Sequence, residues 1–348
     1  MSKAQLQTAV IGPTGYTGFE LLQILFRHPK VKTPLLFVRE GSEKHGPIGD
    51  VFPQLNGNGG VPMEPFSWSK VQEAEVEVLF LATPHEFSRE FVPEALKRGV
   101  RVVDLSGAWR LQNASNVAVY GFKDAHVEEA AKLTKEAAYG LPELHKQAIK
   151  HAQLVANPGC YPTSIILALA PLVAAGLVDV ERGVICDSKS GVSGAGKAPK
   201  QETHFVEVAD NFRAYNPTTH RHRGEILEQL KLASDALVFT PHLLPITRGM
   251  FSTIYVTLKE QASAETIEKT LREFYANAPF VRVFAPPKLP EIAWSVKTNY
   301  CDLGFALAKD GRRLTLFSAI DNLLKGASGQ AVQNMNVMYG FDEREGLQ

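Results

Sequence analysis

Apolar residues in this chain fall first into short unbroken runs that alternate with stretches of helical spacing. Residues 8–11 form such a run, glycine follows at 12, and residues 19–26 carry apolar side chains at helical intervals, so the chain opens as strand, glycine-rich turn and helix. Runs at 35–38, 76–82 and 100–105 predict further strands, with an amphipathic stretch at 88–98 between the last two and a final strand at 154–156. Strands apolar on both sides and separated by helices belong to a parallel sheet covered on both faces. The expected first domain is an α/β, Rossmann-type doubly wound parallel sheet.

Past residue 160 the pattern changes. Residues 165–175 read as a long apolar helix, and 184–186, 238–240 and 253–258 read as strands of a mixed or antiparallel sheet, predicting a second, α+β domain. The intervening stretch 188–223 is rich in Gly, Ser and Lys and then in His and Arg, too polar for a core and too varied for a linker, which marks loops that carry chemistry. Residues 321–339 predict a terminal helix with small residues on one face, packed back on the first domain. No internal repeat is visible.

Composition narrows the partners. With 348 residues, 45% of them hydrophobic, the chain can bury a core for each of two domains. Lys+Arg and Asp+Glu both number 37, so no global field draws nucleic acid or an anionic membrane, and any anion site must be local. Cys160, Cys186 and Cys301 are too widely spaced for a zinc site or a disulfide framework, which fits a reducing compartment and no metal. Residues 1–7 are polar and lead straight into the first strand, without a secretory signal or membrane span. The expectation is a cytoplasmic protein.

Gly12, Gly15 and Gly18 follow a strand and open a helix, the context in which backbone can approach a pyrophosphate and helix-start N–H groups can point at it. The spacing is GxxGxxG, and Thr14 and Tyr16 are the other candidate contacts; a tight turn with close helix packing is the structural alternative. Arg39 stands just past the second strand, with Ser42 and Lys44 behind it, where an NADP site offers a cation to the 2′-phosphate. Glu40 and Glu43 leave NAD open.

Cys160 sits in a Pro-Gly-Cys turn between a strand and the long apolar helix, with Pro162 suited to the first helical turn. A thiol there meets the positive end of the helix dipole, which favours thiolate relative to the ordinary value of about 8.5. Cys186 and Cys301 stand in apolar strand-like contexts and read as small buried hydrophobes. A nucleophilic cysteine needs a proton-transfer partner, and His220-Arg221-His222 with Arg223 is the densest cationic group; on an extended segment the two imidazoles would project to one side. A solvated basic loop is the alternative, and no carboxylate or thiol stands at zinc-ligand spacing beside them.

These segments together carry a resemblance. Residues 157–163 (Asn-Pro-Gly-Cys-Tyr-Pro-Thr), 190–197, 219–222 and 321–327, with 12–18, 81–85, 104–110, 240–242 and 248–249, are similar in content and order to the N-acetyl-gamma-glutamyl-phosphate reductase family over nearly the whole chain. The resemblance implies a Rossmann domain joined to an α+β catalytic and oligomerisation domain, as in aspartate-semialdehyde dehydrogenase. The expected division is residues 1–156, completed by 321–348, for NADP binding, and 157–320 for catalysis and assembly as a homodimer or homotetramer. It also implies Cys160 as nucleophile, His220 as acid/base, His222 as a substrate contact, and Ser193, Gly194 and Asn322 near the nicotinamide. Ser190 joins the substrate contacts. Charge adds Arg110 and Arg248, since a phosphate and a carboxylate must be neutralised and arginine does so with a planar fork.

The implied reaction starts with attack of the Cys160 thiolate on an acyl phosphate and loss of inorganic phosphate. NADPH then delivers hydride to the thioester, and protonated His220 serves the hemithioacetal before aldehyde release. Two related enzymes fit the same parts: aspartate-semialdehyde dehydrogenase and a reductase of carrier-protein-linked aminoadipyl phosphate. A nucleotide-sensing regulator on the same fold is the alternative outside enzymology, and it has no need of a helix-start cysteine.

Overall fold

A computed structural model describes residues 5–39, 45–55 and 57–348. They divide into two compact units, one within 1–112, 120–158 and 327–348, the other within 113–119 and 159–326.

The first unit holds an eight-stranded sheet of β1 (Thr8–Ile11), β2 (Leu35–Val38), β3 (Gly46–Pro47), β4 (Pro62–Pro65), β5 (Val78–Leu81), β6 (Arg101–Asp104), β7 (Ala138–Tyr139) and β8 (Leu154–Ala156). Their order is β3-β4-β2-β1-β5-β6-β8-β7, parallel throughout except for the β3–β4 pair. The doubly wound sheet expected from the apolar runs is present, with β5 and β6 shorter than those runs by their flanking residues. The run pattern did not mark β3, β4 and β7, because two are only two residues long and β4 begins and ends in proline. Central β1 has β2 on one side and β5 on the other, so the strand order reverses where the chain leaves β1 through Gly12. Ligands of open α/β sheets bind at such switch points.

The closing helix, Gly329–Tyr339, packs on helices Pro142–His151 and Tyr16–Arg27. It starts later than residue 321, because the Asp321 carboxylate accepts the N–H groups of Leu323 and Leu324 and holds a turn that continues as a π-helical stretch, Leu324–Ser328. The helix is buried all round through Met338, and its amides donate hydrogen bonds to the surrounding backbone and side chains. Gln330 and Asn334 both donate to the Gly140 carbonyl at 2.8 Å, Asn334 also donates to Asn157 Oδ1 at 3.0 Å, and Asn336 Oδ1 lies 3.0 Å from His28 Nε2. Asn157 in turn donates to the Ala327 carbonyl, so the motif before Cys160 is anchored through its own amide.

The second unit holds β9 (Val184–Gly191), β10 (Arg213–Ala214), β11 (Leu237–Leu244), β12 (Met250–Thr257), β13 (Val281–Val283), β14 (Cys301–Leu307) and β15 (Arg313–Ile320) in one mixed sheet, ordered β10-β11-β9-β12-β15-β14-β13. The helix Cys160–Ala174 covers one face. The apolar pattern starts at 165, and the helix itself begins at Cys160, where the Pro-Gly-Cys turn and Pro162 had put its first turn. Pro171 lacks the N–H that would bond the Leu167 carbonyl, and the Tyr275 hydroxyl supplies the missing donor at 2.6 Å. Ser164 reaches Ser252 and Ser318 at 2.9 and 3.0 Å, and Ser188 lies 2.8 Å from Ser252, a buried hydroxyl chain that fixes the helix over three neighbouring strands. The opposite face leaves Ile185, Val238 and Tyr255, on adjacent strands β9, β11 and β12, 49%, 44% and 45% exposed.

Replacing Asn334 by Ala strips the Asn157 amide oxygen of a buried donor and weakens the bond network at Gly140, at a cost of about 1–3 kcal/mol. A lowered urea midpoint at unchanged slope is the expected result.

Candidate active site

At the end of β1 the three glycines have different reasons. Gly12 has φ +84, and a Cβ there would lie 2.5 Å from the Ala82 carbonyl oxygen. A Cβ on Gly18 would meet the Gly12 and Pro13 carbonyls at 2.6 Å. Both serve the turn. Gly15 differs: it is the N-cap of helix Tyr16–Arg27, its side-chain direction is open, the helix start has no side-chain cap, and no acidic residue stands in the first turn. Backbone donors and an unopposed dipole at an open glycine suit a phosphate group. Thr14 and the half-exposed Tyr16 flank it. Arg39 is exposed one residue past β2, whereas Ser42 and Lys44, with Glu40 and Glu43, lie outside the described residues.

In the second unit Gly159 is the N-cap and Cys160 the first residue of the apolar helix, with no acidic residue in its first turn. Cys160 is partly exposed, while Cys186 and Cys301 are fully buried and burial pushes the Cys186 thiol up. The turn is pinned from below by Glu225, a buried carboxylate whose Oε2 accepts the Gly159 N–H at 3.0 Å. From above it is pinned by His222, since a Cβ on Gly159 would come within 2.7 Å of the His222 ring. Only glycine lets the two segments approach so closely.

His220 and His222 come together, with ring centroids 4.7 Å apart, though not by strand alternation. The chain turns at 216–219 and enters helix Arg223–Leu230, for which His222 is the N-cap. Tyr161, Tyr215 and Phe239 surround the His220 ring at 5.5, 5.6 and 5.6 Å. Burial, with a smaller contribution from the Arg221 charge, lowers the His220 pKa to about 4, so the ring is neutral near neutral pH. The His222 backbone N–H donates to His220 Nδ1 at 3.1 Å. A backbone N–H can only donate, so the neutral ring carries its proton on Nε2. Tyr161 Oη lies 2.9 Å from Tyr215 Oη and donates to the His242 carbonyl, and burial holds both phenols in the neutral form, Tyr215 pushed up to about 12.

Cys160, Tyr161, Ser190, Gly194, Tyr215, His220 and His222 share a cavity of about 560 Å³ within this unit. Ser190 is buried and bonds the Gly191 carbonyl. Asn322 donates to Ser193 Oγ at 2.9 Å and accepts the Gly249 N–H at 2.7 Å, which fixes the Ser193–Gly194 turn. Arg248 is held by the buried Asp321 at 2.5 Å and is not in the cavity lining. Arg110 lies in the first unit, buried, with Nη2 on the Leu105 carbonyl and its charge near buried Asp104. Glu225, Tyr161 and Tyr215 escaped the sequence reading. Tyr161 adjoins the cysteine and could have been suspected; the other two stand more than fifty residues away, with no local signal.

Two family profiles cover most of the chain: the semialdehyde dehydrogenase NAD binding domain over residues 7–152 and the semialdehyde dehydrogenase dimerisation domain over residues 160–322. The N-acetyl-gamma-glutamyl-phosphate reductase of Methanocaldococcus jannaschii is 45% identical over 342 residues, 98% of this chain and 97% of that protein. That of Methanocella arvoryzae is 44% identical over 344 residues, 98% of each. The chain belongs to the N-acetyl-gamma-glutamyl-phosphate reductase family. The resemblance drawn from the motifs is thereby borne out, and with it an oxidoreductase that binds a nicotinamide cofactor.

Solved structures add the architecture. Aspartate semialdehyde dehydrogenase II of Vibrio cholerae, complexed with ASA, superposes with a TM-score of 0.72 at 19% identity, covering 97% of this chain and 99% of that one. The Candida albicans enzyme with NADP gives 0.70 at 13%, again over 97% and 99%. They show the shared fold. No described helix is long and apolar enough to cross a membrane, and no group of three or more described His, Cys, Asp and Glu residues could hold a metal ion.

The neutral His220 has a pH consequence. Between the ordinary histidine value of 6.5 and about 4 the unfolded chain binds a proton at residue 220 that the folded chain does not, so stability falls as pH falls through that window. The loss is about 2–3 kcal/mol by pH 4.5. Urea unfolding at pH 7 and 4.5 should show a smaller drop for His220→Gln than for the unmodified protein; equal drops would contradict a buried neutral ring.

Proposed function

We propose that the protein reduces N-acetyl-gamma-glutamyl phosphate to N-acetylglutamate semialdehyde with NADPH, through a thioester on Cys160, as a cytoplasmic step of arginine biosynthesis. One observation carries this reading. A partly exposed cysteine begins an apolar helix in the same cavity as a neutral, partly buried imidazole, in a chain 45% identical to a reductase of that name.

Sγ of Cys160 attacks the acyl carbon, the C–O bond to phosphate breaks, and the departing phosphate takes its proton from water. The dipole of a fifteen-residue helix favours the thiolate before attack and after its release. When bound, the reduced nicotinamide supplies hydride to the thioester carbon. His220 presents Nε2–H to the carbonyl oxygen and stabilises the negative charge that grows there in both steps, as a neutral donor with no proton to lose first. Collapse of the hemithioacetal releases aldehyde and returns thiolate. This changes the role first expected for His220: with a pKa of about 4 the imidazolium is scarce at neutral pH. Tyr161 and Tyr215 exclude water from the ring, and His222 holds the substrate beside Gly159.

Gly12, Thr14, Gly15, Tyr16 and Gly18 would hold the cofactor pyrophosphate, and Arg39 the 2′-phosphate that separates NADP from NAD. Ser193, Gly194 and Asn322 would form the wall against the nicotinamide. Assembly fits the open face of the second sheet, where Ile185, Val238 and Tyr255 present apolar surface in the region matched by the dimerisation profile. A homodimer through this face, or a tetramer built from it, would cover them.

Cys160→Ser should lower phosphate-dependent oxidation of N-acetylglutamate semialdehyde at least a thousandfold while NADPH binding, followed by fluorescence, stays within twofold; full activity would end the thioester proposal. The unmodified enzyme should turn over that aldehyde well ahead of aspartate semialdehyde. Ile185→Lys combined with Tyr255→Lys should sediment as a monomer where the parent protein sediments as an oligomer.

A further inference from the structure

The cavity around Cys160 gathers cations from several parts of the basic stretch 188–223. Its lining includes Lys200, Arg213 and Arg221 against one carboxylate, Glu202. In a chain with equal numbers of acidic and basic side chains, three cations facing one cavity make a local positive field. Arg248, by contrast, is paired with Asp321.

Two of these cations have different neighbours. Arg221 is next in sequence to His220, lines the cavity with it, and its charge acts on both His220 and Tyr215. Arg213 belongs to β10, where Arg213 pairs with Leu243 and Ala214 with His242. Side chains alternate along 212–215: Arg213 and Tyr215 line the cavity, as does Leu243, the β11 partner of Arg213, while Ala214 does not and Phe212 stacks on His242. Tyr215 touches Tyr161 next to the cysteine, and Arg213 stands two residues before Tyr215, a step of about 7 Å along an extended chain. Arg213 is itself steadied by a bond to the Glu202 carbonyl.

We infer that Arg213 is the specificity residue that binds the far carboxylate of the substrate, and that Arg221 attends the phosphate end. The inference rests on the reading of the preceding subsection. In an N-acetylglutamyl substrate the C1 carboxylate lies four bonds from the carbon joined to sulfur. Strand spacing puts that separation between Tyr215 and Arg213. A planar guanidinium can take a carboxylate through two parallel N–H bonds, and a charged hydrogen bond of that kind changes binding by roughly 10- to 100-fold.

The test compares two aldehydes that differ only in this carboxylate, N-acetylglutamate semialdehyde and 4-acetamidobutanal, both oxidised with NADP and phosphate. Arg213→Gln should lose about 10- to 100-fold in kcat/KM on the first, mainly through KM, and less than about threefold on the second, with Arg213→Lys recovering part of the loss. Equal losses on both aldehydes would overturn the assignment, because a role confined to holding the Glu202 carbonyl makes no distinction between them. Undiminished activity of the variant on both would overturn it too. If the unmodified enzyme oxidises neither, the substrate reading fails; the same ratio is then taken on glutaric semialdehyde and pentanal, where a carboxylate preference lost in Arg213→Gln upholds the inference and one retained overturns it.

Discussion

The close crossing at Gly159 governs the catalytic half of the molecule. There the start of the helix Cys160–Ala174 runs under the His222 ring with no room for a Cβ, and Glu225 takes the Gly159 N–H from the other side. Glu225 and His222 both belong to the start of the helix Arg223–Leu230, so one short helix clamps the turn that presents Cys160. Any side chain at 159 would push the sulfur away from the cavity it shares with His220. The tyrosine pair, the neutral imidazole and the Ser190 wall gain their chemical meaning from that placement.

Around this clamp the fold is stiffened by hydrogen bonds between buried polar groups. Hydroxyls of Ser164, Ser188, Ser252 and Ser318 tie the helix Cys160–Ala174 to three strands, and the Tyr275 hydroxyl replaces the backbone donor that Pro171 removes. In the first unit the amides of Gln330, Asn334 and Asn157 play the corresponding part for the closing helix. Such bonds add little net energy each, but breaking one strands a partner away from water, so they select a single packing over near alternatives.

Electrostatics follow the same economy. A chain of zero formal net charge concentrates Lys200, Arg213 and Arg221 on the walls of one cavity, and burial keeps His220 uncharged among them. A charged imidazole beside Arg221 would be costly, and the neutral ring avoids that cost. The same burial keeps Tyr161 and Tyr215 protonated beside the Cys160 thiol.

The order of apolar runs was enough to establish the doubly wound sheet, because a strand buried on both faces must be apolar throughout, and the Pro-Gly-Cys turn before an apolar helix was enough to single out Cys160. Both are local patterns, written in consecutive residues. Glu225, Tyr215 and Arg213 were not legible, since each acts on residues far away in sequence through strand register or helix crossing. Arg248 was drawn to substrate by its charge alone, and only the fold shows Asp321 beside it. The amides of the closing helix looked polar in sequence and proved buried, because hydrogen-bond partners from residues 28, 140 and 157 reach them only in the folded unit. Periodicity and composition report what a segment prefers, whereas the pairing of charges and donors depends on which surfaces meet, and that is settled by packing.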